Sequence, residues 1–168
     1  MEINVRRAGP ADTDELVRLR IVMLEAMDGV PTPPGEWSER SAAALRRRLP
    51  VPDPDATLAA FVADRPDGPG LAACAVGTIE ERLGAPGNPD GRVGYVFNVA
   101  TDAAYRRRGL SAACLDALLA WFELRAVSMV HLVASPDGRP MYERMGFARH
   151  AHPSLRLRLP RIDAPTGG

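Results

Sequence analysis

Tyr95-Val96-Phe97-Asn98-Val99-Ala100, followed by Tyr105-Arg106-Arg107-Arg108-Gly109-Leu110-Ser111, is the stretch on which the reading of this chain turns. The first run is apolar and β-prone; the second is a basic turn. Beyond it Leu115, Leu118, Leu119 and Phe122 recur at i, i+3, i+4 and i+7, which predicts an amphipathic helix over about 110–124. A helix opening at that point leaves its first N–H groups without intrahelical partners, and its dipole places partial positive charge there. Three arginines and Gly109 at such a site suit an anion, with a phosphate-bearing cofactor as the obvious candidate; the plainer alternative is a solvated basic turn.

Two other phosphate-loop patterns fail. The ATP-type loop ends in Lys-Ser or Lys-Thr, and this chain has no lysine. The dinucleotide fingerprint needs three closely spaced glycines, yet the glycine after Gly109 is Gly138.

The segment Arg106-x-x-Gly109-x-Ser111 resembles the pyrophosphate-binding motif of the GNAT superfamily of acyl-CoA-dependent N-acyltransferases. Gly138-Arg139-Pro140-Met141-Tyr142-Glu143-Arg144-Met145-Gly146-Phe147 is similar to the family's second hallmark, a short tyrosine helix ending in Gly-Phe. Ile3 to Ala8, then Asp12 to Leu16, resemble its opening strand and first helix, so the likeness spans residues 3 to about 159. Two positions depart from the pattern. Ser111 replaces the usual Gly or Ala, and Ser135 with Gly138 stands where many members carry Asn and Ala. Ser135 still suits a helix cap and Pro136 a first helical position.

The resemblance implies an α+β fold with a mixed, mostly antiparallel sheet whose fourth and fifth strands run parallel and splay apart. It implies acetyl-CoA as cofactor, contacted by Val99, Ala100 and Thr101 on the fourth strand, by Arg106, Arg107, Arg108, Gly109, Leu110, Ser111 and Ala112 in the basic turn, and by Ser135. Backbone groups exposed at the splay are costly unless a ligand bonds them, and the pantetheine arm would do so at Val99 and Thr101. By the same resemblance Tyr142 protonates the leaving thiol, a role suited to a phenol that stays protonated at neutral pH.

The remaining elements follow from pattern. Strands are predicted over Ile3–Arg7, Thr57–Ala63, Leu71–Glu81, Val93–Ala100, Met129–Ala134 and Leu155–Leu159. Helices are predicted over Asp12–Met27, Ser38–Leu49 and Pro136–Met145, with a proline-rich loop over Val30–Gly35. One domain over residues 1–160 with a frayed tail at 161–168 is the expected organisation.

Apolar residues make up 46% and charged residues 25% of the 168, and the formal net charge is zero. That balance supplies no field to recruit nucleic acid or an anionic membrane. Neither a signal-peptide pattern nor a membrane-length apolar run is visible, so the cytoplasm is the expected location. Cys74 and Cys114 sit in apolar periodic segments and read as buried thiols; no His, Cys or carboxylate cluster has metal spacing, so no metal is expected.

The general base is open. Glu80, acting through water, is the carboxylate chosen here, while His131 reads as a structural histidine. Met23, Met27, Trp37 and Asn98 are the expected acceptor-site residues, and Glu25, Asp28 and Glu36 suggest attraction of a cationic amine. The expected reaction is direct transfer of acetyl to a primary amine of a small molecule or peptide. A non-catalytic acyl-CoA-binding sensor of the same fold is the alternative. The alternating leucines of the last predicted strand lead to a two-fold homodimer as the expected assembly.

Overall fold

The computed structural model describes residues 3–49 and 52–159. Its centre is β3 (Leu71–Glu81), whose first seven residues, Leu-Ala-Ala-Cys-Ala-Val-Gly, are buried on both faces. Such small side chains let helices approach the sheet from either side. β2 (Leu58–Asp64) pairs with β3 on one edge and β4 (Arg92–Thr101) on the other, both antiparallel. β1 (Val5–Arg7) adds antiparallel to β2, and β5 (Val130–Leu132) adds parallel to β4, giving the order β1-β2-β3-β4-β5.

α3 (Leu110–Leu124) packs on one face through Leu115, Leu118 and Phe122, all at 0% exposure. Phe122 lies so close to the sheet that a Cβ on Gly77 or Gly94 would come within 2.9 or 3.1 Å of its ring. α1 (Thr13–Asp28) and α2 (Glu36–Arg48) cover the other face, where Leu16 and Leu19 meet Val62, Cys74, Val76 and Ala100. Burial pushes both the Cys74 and Cys114 thiols up to about 12, as befits free cysteines inside a core.

β4 carries a bulge. Val96 sits opposite Gly77 and Asn98 opposite Val76, leaving Phe97 as the extra residue. Before the bulge, Gly94 turns its N–H to Met129 of the β5 side at 2.9 Å. After it, Asp102 turns its N–H to Ala72 of the β3 side at 2.8 Å. Alternation back from Asp102 therefore points Ala100 and Asn98 toward β3, and Thr101 and Val99 toward β5. The extra residue changes which backbone groups look into the gap between the two parallel strands.

Expected and observed elements differ at the C-terminal side. The final strand over Leu155–Leu159 is absent: residues 148–159 are exposed throughout, and Leu155, Leu157 and Leu159 are 91%, 82% and 78% exposed. Alternation predicts a strand only if an edge receives it, and β5 presents just Val130–Leu132. β5 is itself shorter than Met129–Ala134 because it leaves β4 after Leu132. The tyrosine helix is α4 (Arg139–Arg144), opening at Gly138 with Pro140, rather than Pro136, in its first turn. The predicted tail at 161–168 lies outside the described residues. Among those described, no helix is long and apolar enough to cross a membrane.

Candidate active site

β4 and β5 pair only at Gly94–Val130, Tyr95–His131 and Val96–Leu132. From Phe97 onward β4 continues to Thr101 with β3 alone. The N–H and C=O groups that Val99 and Thr101 point outward therefore meet no described strand, and buried backbone groups in that condition call for a ligand. Arg106 reaches the far end of this edge, its Nε 3.5 Å from the Thr101 carbonyl.

The same strand delivers the chain to the start of α3. Gly109 is the N-cap in the left-handed region (φ 78°), and Arg107 also has φ 63°, an arrangement rare for a non-glycine residue. No side chain caps the helix. The first intrahelical bond runs from Ala113 N–H to Gly109 O at 3.0 Å, so the amides of Leu110, Ser111 and Ala112 precede the ladder. Arg106, Arg107 and Arg108 enter no ion pair among the described residues. Arg108 lies over the Tyr105 ring at 5.3 Å; the Ser111 and Thr101 hydroxyls are hydrogen-bonded, tying helix start to strand end.

The loop between them is braced from behind. Tyr105 is buried and its hydroxyl donates to Asp67. Asp102 accepts from Arg18 at 2.8 Å and Arg65 at 2.9 Å. Burial alone would push the Asp102 carboxyl up, but the Ala104 N–H and the two arginines hold it below the usual carboxylate range. A positively framed turn is thus fixed to the β2–β3 hairpin by charge-assisted bonds.

Tyr142 on α4 is half-buried, edge-on to Phe147 with ring centroids 5.9 Å apart. Burial raises its phenol above the ordinary tyrosine value, so it keeps its proton over a wider pH range. Ser135 accepts the Gly138 N–H at 3.2 Å and so steadies the turn that leads into α4.

The other expected residues are dispersed. Glu80 sits opposite Val93, four positions before Phe97 and roughly 13 Å along the strand, and is ion-paired to Arg82 at 2.5 Å. Met23 packs against the core beneath α1, whereas Met27 is 48% exposed. Trp37 is pinned by its Nε1–H to Pro33 O at 3.2 Å. Asn98 is 2% exposed; its Nδ2 donates to Cys74 Sγ at 3.4 Å and its Oδ1 has no partner. The acidic residues expected to draw a cationic amine are engaged or open to solvent. Glu25 accepts the Thr32 N–H, Glu36 pairs with Arg40, and Asp28 is exposed.

Two residues gained weight in three dimensions. His131 lies beside Tyr95 on the face of α1, because its neighbours Val130 and Leu132 point to the α3 side; it is half-buried and makes no described hydrogen bond. Its ring stands 6.1 Å from that of His150, which is 5.7 Å from His152. The expected buried, hydrogen-bonded histidine is not what the structure holds at His131. Arg20 reaches the bulge, donating to Phe97 O at 2.7 Å. The signal for it was present, since 16, 19, 20 and 23 form one helical stripe on which Arg20 is the only charge among leucines and methionine.

Comparison with known proteins places this architecture. No curated protein matches the chain. Among solved structures, a predicted acetyltransferase from Clostridium acetobutylicum, solved with acetyl-CoA, is 25% identical over 94% of this chain and 96% of its own, with a TM-score of 0.78. A GCN5-related N-acetyltransferase from Ralstonia eutropha is 21% identical over 93% and 99%, TM-score 0.74. Glucosamine-6-phosphate N-acetyltransferase from Arabidopsis thaliana is 14% identical over 94% and 99%, TM-score 0.70, a likeness of fold. The model of the acetyltransferase (GNAT) family matches residues 26–147, which include the bulged strand, the basic turn and the tyrosine helix. The chain belongs to the GNAT acetyltransferase family, a family of acetyl-CoA-dependent transferases.

Proposed function

We propose that this chain acetylates a primary amine of a small molecule or peptide, by direct attack of the amine on acetyl-CoA held between β4 and β5. One observation carries the reading: the unpaired β4 edge at Val99 and Thr101 runs straight into an uncapped, arginine-flanked helix start at Gly109. An extended, amide-bearing arm ending in a pyrophosphate has that same order of requirements. When bound, acetyl-CoA supplies the acetyl thioester, whose acetyl passes to the amine nitrogen as the carbon–sulfur bond breaks.

The chain's own residues supply the rest. Val99 and Thr101 orient the amide-bearing arm by strand-like bonds, with Ala100 between them directed to β3. The amides of Leu110, Ser111 and Ala112, with the guanidinium groups of Arg106 to Arg108, hold the pyrophosphate, and Ser135, ahead of α4, adds a further contact to the coenzyme. A backbone N–H at the bulge polarises the carbonyl. Tyr142 gives its hydroxyl proton to the departing sulfur.

The amine must lose a proton, and two side chains are candidates to take it. Glu80 would act through a water chain, but its distance along the strand and its pairing with Arg82 weigh against it. His131 aligns with Tyr95, only two positions and about 7 Å before the bulge, and an imidazole nitrogen without a described hydrogen bond is free to accept a proton. We favour His131 as the base. Release of free thiol from acetyl-CoA, assayed against a panel of amines, tests the proposal; binding of acetyl-CoA with no turnover of any amine would instead fit a sensor.

We also propose a two-fold homodimer. β5 is the outer strand of the sheet, and beyond it Leu155, Leu157 and Leu159 stand exposed on a segment with strand alternation. An unpaired edge beside an apolar segment is a template for a second copy. Sedimentation equilibrium at micromolar concentration should give about twice the 18.1 kDa chain mass. A monomer under those conditions would remove this assembly and leave the chemistry untouched.

A further inference from the structure

Under α1 and α2, against the bulge of β4, lies a cavity of about 210 Å³. Its floor is Val76, Phe97 and Asn98, and its polar wall is Arg20, Ser41 and Arg48. None of its lining residues is acidic. The bulge explains why Phe97 and Asn98, consecutive in sequence, both line it, while Val99 faces the opposite side and the open edge of β4. The cavity therefore abuts the bulge itself, next to the stretch of β4 whose open edge faces the coenzyme cleft.

Arg20 shares with Arg7 a guanidinium lowered by burial and without a carboxylate partner among the described residues, and of the two it is Arg20 that lines a cavity. It is half-buried, spends one N–H on Phe97 O, and stands 6.0 Å from the Phe97 ring, yet no carboxylate among the described residues pairs with it. Burial lowers its guanidinium below the ordinary value. By contrast Arg6, Arg18 and Arg65, at comparable depth or more exposed, each meet an aspartate. Arg48 also lacks an acidic partner and spends one N–H on Thr78. A cation withdrawn from water without a counter-charge is costly, and a guanidinium presents its donors in a fork matched to two oxygens. On the floor, Asn98 is buried with its Oδ1 unpartnered, a polar atom that a ligand N–H would satisfy.

We infer that this cavity receives a carboxylate of the acceptor, bound by Arg20 with Arg48, so that the acetylated amine belongs to a molecule of the amino-acid class. The carboxylate occupies the fork of Arg20, and the amine faces the bulge, where Asn98 accepts one of its hydrogens. This deepens the acetyltransferase reading given above and rests on it. It also inverts the attraction suggested by Glu25, Asp28 and Glu36, none of which lines the cavity.

The test pairs each common amino acid with its carboxamide, which keeps the amine and removes the negative charge. Ratios of kcat/KM are measured for the full chain, and the matching N-acetyl amino acids and N-acetyl carboxamides are titrated by NMR as products. The carboxylate member should be favoured by at least roughly tenfold in the best pair, and Arg20→Gln should shrink that ratio by roughly tenfold to a hundredfold, the worth of a charge-assisted bond. Arg48→Gln should shrink it less, and circular dichroism establishes that each variant is folded. Equal use of both members, a preference for carboxamides or polyamines, or an unchanged ratio in Arg20→Gln would overturn the inference. So would O-phosphoethanolamine outcompeting every carboxylate, which would make the anion a phosphate. If the chain fails to bind acetyl-CoA, the acetyltransferase reading falls, and the product titrations still decide whether the cavity selects carboxylates.

Discussion

Gly109→Glu should abolish acetyl-CoA binding while leaving the chain folded. Residue 109 has φ 78°, so any L side chain there meets strain on the order of 1–2 kcal/mol. Space is not the obstacle, because an added Cβ would find only Ile3 Cδ1, at 3.7 Å. A glutamate at the head of a 15-residue helix is also favourable to the helix dipole, which offsets part of the strain. The carboxylate, however, would stand where the pyrophosphate is proposed to sit. Like charges about 4 Å apart near a protein surface repel by about 4 kcal/mol, equivalent to roughly three orders of magnitude in affinity. Gly109→Ala carries the backbone strain without the charge and should lose far less. Calorimetric titration of both variants separates the two terms, and unchanged affinity in Gly109→Glu would remove the anion-loop account.

If its hydroxyl protonates the leaving sulfur, as proposed, Tyr142→Phe should lower kcat by roughly 10²–10⁴ while acetyl-CoA affinity changes little. The phenyl ring keeps the edge-on contact with Phe147, so α4 stays in place. The raised phenol value has a consequence for pH: in the wild type, activity lost by deprotonating this acid should fall away only above the ordinary tyrosine range, about pH 10. That alkaline limb should be missing in Tyr142→Phe. Wild-type kcat in the variant, at a pH where chemistry limits the rate, would reduce Tyr142 to a packing residue.

What could be read from the chain in advance follows from which interactions are local. The start of α3 was legible because Gly109 and the leucine periodicity after it speak about consecutive residues, and the helix runs Leu110–Leu124 as expected. β3 was legible in full, since Leu71–Glu81 is bounded by a glycine-rich turn and an exposed loop. The position of the bulge at Phe97 is not legible in the sequence, because an extra residue leaves a Tyr-Val-Phe-Asn-Val run as strand-like as before. Yet that residue decides that Val99 and Thr101, rather than Asn98 and Ala100, face the gap. Leu155 to Leu159 misled for the opposite reason: alternation describes a strand's two faces and says nothing about an edge to join. Arg20 carried no reading in the sequence and His131 reads there as structural, because their meaning depends on what their neighbours lack, a carboxylate for one and a hydrogen-bond partner for the other.

A crystal structure of the acetyl-CoA complex tests the central claim most directly. The account predicts the pantetheine amides hydrogen-bonded to the outward groups of Val99 and Thr101, and the pyrophosphate on the amides of Leu110, Ser111 and Ala112. It also predicts the sulfur within hydrogen-bond reach of the Tyr142 hydroxyl. Density for the cofactor elsewhere, with the β4 edge from Phe97 to Thr101 left bare, would contradict it.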